Sequence, residues 1–156
     1  MIKRTSREHV LKILEDNQYG WNILDIGCNR DAVMYAQTVA DIQDLSEFYK
    51  KAEIDCKIFN FTNNIIDYYK KANLVITRSG ASVLGELINV KIPFISVPLP
   101  TSADNHQFKN AIYYQKKKFG FLLNEHDIDN QLYDLIKSIF NNKNLIKQIL
   151  EHQRQY

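Results

Sequence analysis

The chain has 156 residues, of which 45% are hydrophobic and 24% charged, and it carries a formal net charge of +2 at pH 7. This length and composition fit one packed domain and exclude disordered and collagen-like classes. The small net charge argues against a nucleic-acid partner, and no apolar run reaches the roughly 20 residues of a membrane-spanning helix.

Cys28 and Cys56 are isolated in the sequence, without the spacing of metal ligands or of a disulfide framework. We therefore expect a reduced, cytoplasmic protein without a bound metal or cofactor. The basic run Lys116–Lys118 falls at the end of a predicted helix, where cations complement the helix dipole. A role for this run at an anionic membrane surface is the alternative.

The first third of the chain predicts a helix, a strand and two further helices. Apolar residues at helical spacing predict a helix over residues 6–18. The run Asn22–Ile26 is a short strand that Gly27 ends with a turn, and short helical patterns follow at residues 31–36 and 43–52.

In the second half, short β-branched or aromatic runs alternate with amphipathic segments of helical length, which indicates βαβ units. The predicted strands are Lys57–Phe61, Leu74–Arg78, Phe94–Val97 and Phe119–Leu122. The predicted helices are Asn63–Lys71, Ala81–Val90, Asp104–Lys118, Asp127–Phe140 and Lys143–Gln153. This order predicts an α/β fold with a Rossmann-like doubly wound parallel sheet of five or six strands, which binds ligands beyond the carboxyl ends of its strands.

Two loops at that edge carry candidate binding residues. The strand Leu74–Arg78 breaks at Ser79 and Gly80 and opens directly into a helix, and helix N-termini of this kind bind anions such as phosphate. Glu86, inside that helix, could accept hydrogen bonds from ribose hydroxyls. A plain strand-to-helix turn with a solvated Glu86 is the alternative, but a second polar loop follows the next strand, Phe94–Val97, at the same edge.

Residues 55–123 resemble the donor-binding half of the peptidoglycan N-acetylglucosaminyltransferases, the MurG family. The matching segments are Phe59–Asn64, Ala72–Ser82, Gly85–Leu87, Pro93–Pro100 and Ala103–Ala111. The resemblance implies half of a GT-B glycosyltransferase that binds UDP-N-acetylglucosamine. It also implies a cytoplasmic protein, with a peripheral position at the cytoplasmic face of the membrane as a further expectation.

The resemblance implies a role for each residue of the donor site. Phe61 and Thr62 would border the uracil, three backbone N–H groups after Gly80 would meet the diphosphate, Glu86 would hold the ribose, and two polar side chains of the second loop would meet the sugar hydroxyls. The expected donor-binding residues are Phe61, Thr62, Arg78, Ser79, Gly80, Ala81, Ser82, Val83, Glu86, Asn105, His106 and Gln107. Phe61 as a core residue, His106 as a helix-start residue and Gln107 as a solvated side chain are the structural alternatives.

The N-terminal segment departs from this family. Where the family has a glycine-rich phosphate loop, this chain has Ile23–Arg30 without it, and the family often has Thr at the position of Val83. Residues 1–50 resemble instead the start of a class I S-adenosylmethionine-dependent methyltransferase, with Asp25, Gly27 and Asp41 as the implied S-adenosylmethionine site. An ordinary first strand and turn of a Rossmann-like sheet is the alternative.

We therefore expect a single Rossmann-like domain of two segments, residues 1–50 and 51–156. A fusion with a seam between Met34 and Lys57, or an unusual natural relative, would both explain the combination. The predicted function is that of a donor-binding transferase half, inactive without an acceptor-binding domain or a membrane-associated partner chain. A methyltransferase-like S-adenosylmethionine binder and a folded chimera without a tight ligand are the alternatives.

Overall fold

A computed structural model of the chain describes residues 23–26, as a backbone strand, and residues 63–156. The helices predicted at 6–18, 31–36 and 43–52 and the strand predicted at Lys57–Phe61 lie outside the described residues.

The described strands form one parallel four-stranded sheet. They are β1 (Ile23–Ile26), β2 (Leu74–Arg78), β3 (Phe94–Val97) and β4 (Phe121–Leu122), in the spatial order β1-β2-β3-β4. The register pairs Ile23 with Leu74, Val75 with Phe94 and Ile95 with Phe121. All four strands therefore end at the same edge of the sheet.

The helices follow the strands as the alternating pattern predicts. They are α1 (Ile65–Tyr69), α2 (Ala81–Asn89), α3 (His106–Lys116), α4 (Ile128–Asn141) and α5 (Lys143–Arg154). Two 3₁₀ turns, Ala103–Asn105 and Glu125–Asp127, lead into α3 and α4.

The core lies on both faces of the sheet. Because side chains alternate across a strand, Leu74 and Ile76 face one way and Val75 faces the other. Leu74 and Ile76 join a cluster with buried residues of α4, whereas Val75 joins a second cluster with residues of α1 and α2. Burial on both faces is the doubly wound arrangement that the sequence predicts.

The helix that follows β3 begins later than predicted. Asp104 and Asn105 have φ values of 49° and 53°, in the left-handed region that interrupts a helix. The predicted helix from Asp104 therefore becomes a 3₁₀ turn and a separate α3 that begins at His106.

The fourth strand is also shorter than predicted, because Phe119 takes part in the hydrogen bonds that cap the C-terminus of α3. Lys118 has φ 59°, its N–H donates to the Gln115 carbonyl, and the Phe119 N–H donates to the Tyr114 carbonyl. This pair of bonds is a Schellman motif, with Lys118 in the position that glycine usually takes. The extended strand β4 therefore begins only after Gly120.

The last helix covers the amino ends of β3 and β4. Gln153 is fully buried, and its Nε2 donates to the carbonyls of Ile92 at 3.0 Å and Phe119 at 2.6 Å, just before each strand. This arrangement leaves the carboxyl edge, at the other end of these strands, for the polar loops.

Candidate functional site

The loop after β2 presents free backbone donors at the start of α2. Gly80 is the N-cap residue, with φ −69° and ψ 136°, and no side chain caps the helix there. The first bond into the helix runs from the Leu84 N–H to the Gly80 carbonyl at 3.1 Å. The amides of Ala81, Ser82 and Val83 precede that bond, so the helix itself supplies them no acceptor.

Among the described residues, there is open space beside Gly80, at the start of this helix. A Cβ atom added at Gly80 would meet no atom within 4 Å among the described residues, and both Ala81 and Ser82 are exposed. Such a helix N-terminus favours an anion through its N–H groups and its dipole. The structure therefore has an uncapped helix N-terminus at the place where the sequence analysis expects the diphosphate.

Glu86 lies farther along the same helix and is exposed, on the face that also carries Ser82 four residues earlier. Its Oε2 accepts a hydrogen bond from the Tyr69 hydroxyl at 3.3 Å. The Tyr69 ring is buried beneath α2, where it packs in the cluster of Leu84 and Leu87. Burial, followed by the nearby Glu86 carboxylate, raises the pKa of Tyr69 to about 12, so this phenol is a stable proton donor.

The loop after β3 supports the side chains at the start of α3. The Gln107 Oε1 accepts the Leu99 N–H at 3.0 Å, which leaves the Gln107 amide group as a donor. His106 is exposed, and its Nδ1 lies 2.7 Å from the Ala103 carbonyl oxygen. If Nδ1 donates there, Nε2 becomes an acceptor that faces outward.

Side chains that the sequence analysis did not single out tie the loops together. The Asn110 Nδ2, on α3, donates to the Ser79 carbonyl at 3.0 Å. The largely buried Arg78 pairs with Glu125, with 2.6 Å between its guanidinium and the Oε2 atom, and also donates to the Val97 carbonyl at 3.5 Å. These bonds connect the ends of β2, β3 and β4 into one surface.

Two buried hydroxyls in the same loops have no hydrogen-bond partner among the described residues, those of Ser79 and Ser102. Buried polar atoms are usually paired with protein or water. Both serines flank the loops in which the phosphate and sugar contacts are predicted.

The structure thus brings together most of the predicted donor-site residues. Those found at the carboxyl edge are Arg78, Ser79, Gly80, Ala81, Ser82, Val83, Glu86, Asn105, His106 and Gln107. Phe61, Thr62, Gly27 and Asp41 lie outside the described residues. Asp25 lies on β1, the first strand of the described order, where it pairs with Ile76 of β2, and only its backbone is described.

Tyr69, Asn110 and Glu125 escaped the sequence analysis for different reasons. Tyr69 lies in a predicted helix, where a tyrosine is commonly a core residue. Asn110 lies in a segment that resembles the family, but the resemblance assigned it no role. Glu125 was separated from Arg78 by 47 positions. A signal existed for Glu125, because it lies in the loop that follows a strand at the carboxyl edge.

Within the described residues, no group of three or more His, Cys, Asp or Glu side chains is placed to hold a metal ion. No described helix has the length and apolar character needed to cross a bilayer.

Comparison with known proteins gives consistent matches. The model of the glycosyltransferase family 28 C-terminal domain matches residues 27–154. The UDP-N-acetylglucosamine--N-acetylmuramyl-(pentapeptide) pyrophosphoryl-undecaprenol N-acetylglucosamine transferase of Pelagibacter ubique (strain HTCC1062) is 37% identical over 123 residues, 78% of this chain and 35% of that protein. The protein of the same name in Rickettsia prowazekii (strain Madrid E) is 38% identical over 104 residues, 66% of this chain and 27% of that protein.

A solved structure supports the fold. The crystal structure of Acinetobacter baumannii MurG is similar with a TM-score of 0.66 at 18% identity, over 100% of this chain and 45% of that one. The chain spans about a third of the length of the two relatives. The family match begins at residue 27 and continues through the interval from Met34 to Lys57, and these comparisons give no support to the methyltransferase interpretation.

Proposed function

The chain belongs to the glycosyltransferase family 28 C-terminal domain family, and from that premise we propose that it binds UDP-N-acetylglucosamine at the carboxyl edge of its sheet. The observation that carries the proposal is the uncapped N-terminus of α2, open at Gly80, with Glu86 on the same helix. The relatives' names supply the donor's identity.

The diphosphate would lie at the amides of Ala81, Ser82 and Val83. A leaving diphosphate gains negative charge in the transition state, and fixed backbone donors with a helix dipole stabilise such charge without a metal. Val83 provides its N–H but no hydroxyl, so the phosphate site depends on backbone groups there. The buried Ser79 hydroxyl beside this loop is free to orient toward an added acceptor.

The ribose would lie beside Glu86. Glu86 lies five positions after Ala81, a rise of about 7.5 Å along the helix axis. Because helical side chains lean toward the helix N-terminus, the Glu86 carboxylate is directed back toward the phosphate site. The adjacent diphosphate and ribose of one nucleotide can therefore bind these two groups together.

The N-acetylglucosamine would meet the start of α3. The bond from the Leu99 N–H orients Gln107 so that its amide can donate to a sugar hydroxyl. The outward nitrogen of His106 can accept from another. The left-handed Asp104 and Asn105 bend the chain so that α3 begins at this edge.

Arg78 is proposed to support the donor site by holding its loops in place. Its guanidinium already binds Glu125 and the Val97 carbonyl, so it fixes the loops around the donor. The uracil contacts predicted for Phe61 and Thr62 remain part of the proposal, on the resemblance alone.

In the complete reaction, a hydroxyl of a lipid-linked acceptor would attack the anomeric carbon of the donor, and UDP would leave. We place the acceptor site on a further domain or on a membrane-associated partner chain, and the protein at the cytoplasmic face of the membrane. The two-segment organisation, residues 1–50 and 51–156, stays a prediction.

Calorimetric titration with UDP-N-acetylglucosamine, UDP and S-adenosylmethionine tests the proposal. We expect heat of binding with both uridine nucleotides, and Glu86→Ala should weaken both by roughly 10- to 150-fold, since a hydrogen bond to a charged group contributes about 1.5–3 kcal/mol.

The matched control is Glu151→Ala, which removes the same side chain from an exposed position on α5, the helix that covers the amino edge. It should leave both affinities unchanged. Binding of S-adenosylmethionine alone would favour the methyltransferase-like alternative, and binding of none of the three would favour a chimera without a tight ligand.

A further inference from the structure

Tyr69 and Glu86 meet at the junction of the core and the candidate site. Tyr69 is the last residue of α1 and is only 2% exposed, whereas Glu86 is exposed on α2. The ring packs in the cluster with Leu84 and Leu87, and the hydroxyl reaches the Glu86 Oε2 at 3.3 Å. One end of the tyrosine is fixed in the core and the other end contacts a surface carboxylate.

This contact restricts a side chain that is otherwise mobile. A glutamate on a helix surface has three rotatable bonds, and ordering a side chain of this kind costs on the order of 1–2 kcal/mol. A buried ring has one position, so its hydroxyl offers the carboxylate one place to bind. Part of the conformational entropy of Glu86 is therefore already lost in the unliganded chain, so that part does not weaken ligand binding.

The contact also leaves acceptor capacity for a ligand. An ionised carboxylate has about four lone-pair positions on two oxygens. The Tyr69 hydroxyl uses one of them on Oε2, and within the described part of the chain Oε1 has no bonded donor. Two adjacent hydroxyl groups of one ligand can still donate to the two oxygens.

We propose that Tyr69 is a positioning residue that holds the Glu86 carboxylate in the orientation that accepts both ribose hydroxyls of a uridine nucleotide. This inference rests on the proposed donor site and adds to it a basis for choosing ribose over deoxyribose. Tyr69 acts only through Glu86 and does not touch the nucleotide.

The discriminating measurement is the ratio of the dissociation constants for 2′-deoxy-UDP and UDP, by calorimetry. The unaltered chain should favour UDP by about tenfold or more. Tyr69→Phe, which keeps the ring and removes the hydroxyl, should reduce that preference by roughly three- to tenfold. A change in stability alone would shift both constants together and leave their ratio unchanged.

The double variant shows whether the effect passes through Glu86. Glu86→Ala should abolish the preference for UDP, and adding Tyr69→Phe to it should change the ratio no further. The matched control is Tyr114→Phe, because Tyr114 packs against the same hydrophobic cluster. That control should keep the preference of the unaltered chain.

Each contrary result has its own meaning. An unchanged ratio in Tyr69→Phe, or an additional loss in the double variant, would overturn this inference and leave the proposed donor site intact. Failure of the unaltered chain to bind UDP would overturn both.

A second measurement needs no nucleotide. In chain with ¹³C-labelled tyrosine, the Tyr69 signal is identified by its absence from Tyr69→Phe, because the pKa values of Tyr114 and Tyr156 are also raised. The Tyr69 signal should ionise late, because burial and the Glu86 carboxylate raise the pKa of Tyr69 to about 12. Glu86→Gln should lower that pKa measurably by removing the negative charge. A Tyr69 signal whose pKa is unchanged in Glu86→Gln would show that the contact is absent in solution, and would also overturn the inference.

Discussion

Gly120 lies where any side chain would strike the core. A Cβ atom added there would stand 2.6 Å from two ring carbons of Phe94 and 2.7 Å from the Phe94 carbonyl oxygen. Phe94 is fully buried in the central strand β3, and its backbone cannot move aside. We expect Gly120→Ala to lower the free energy of unfolding by about 1–3 kcal/mol, measured by urea denaturation.

Gly85 provides the matched control for that substitution. It lies inside α2, and an added Cβ meets no described atom within 4 Å. Gly85→Ala should raise the free energy of unfolding by roughly 0.5–1 kcal/mol, because alanine loses less backbone entropy in a helix. Equal effects at the two positions would contradict the steric explanation for Gly120.

At the scale of residues, the sequence predicted where the candidate site residues lie better than it predicted which side chains they contact. Gly80 and Glu86 were placed at the carboxyl edge, because a strand that breaks directly into a helix fixes both. The Tyr69 hydroxyl and Glu125 were not foreseen, since their roles depend on contacts across 17 and 47 positions of the chain. Local sequence patterns do not specify contacts between residues that lie so far apart in the chain. The predicted ligand contacts themselves remain predictions.

At the scale of elements, hydrophobic runs located the central strands β2 and β3 with the predicted ends. The errors at α3 and β4 fall where non-glycine residues adopt left-handed backbone conformations, at Asp104, Asn105 and Lys118. Such conformations depend on tertiary contacts, whereas the usual signal for them is glycine. Both boundaries of α3 and the start of β4 were therefore wrong by two residues. The first described helix, α1, is also two residues shorter at each end than the predicted Asn63–Lys71.

The Arg78–Glu125 pair should stabilise the carboxyl edge as a unit. Both side chains are largely buried, at 16% and 12% exposure, and the pair joins the end of β2 to the turn after β4. Removing one member leaves a buried charge without its partner. Glu125→Ala should therefore lower the free energy of unfolding by on the order of 3 kcal/mol in urea denaturation.

The neighbouring His126 supplies a control for that prediction. Its side chain is 78% exposed and lies 3.4 Å from Asp127 at the surface of the same turn. His126→Ala should change stability by less than about 0.5 kcal/mol, as exposed substitutions usually do. A loss as small in Glu125→Ala would show that the buried pair does not connect the loops in solution.

For the whole molecule, we expect the isolated 156-residue chain to bind donor without transferring sugar to a lipid-linked acceptor. The described residues form one sheet with one polar edge, and the chain matches a C-terminal domain and about a third of its relatives' length. Orienting two reactants together contributes roughly 7–11 kcal/mol to a transfer reaction, and a chain that holds one reactant lacks that contribution.

The assay would follow release of UDP and labelling of the lipid acceptor, with the Pelagibacter ubique transferase run in parallel to prove that the acceptor is competent. Donor binding by calorimetry, with no labelled lipid product, is the expected result. Transfer by the isolated chain at about 1 per second or more, a rate typical of enzymes, would contradict it. An acceptor site would then have to lie on this chain itself, and the exposed His106 and the basic run Lys116–Lys118 are the first residues to substitute.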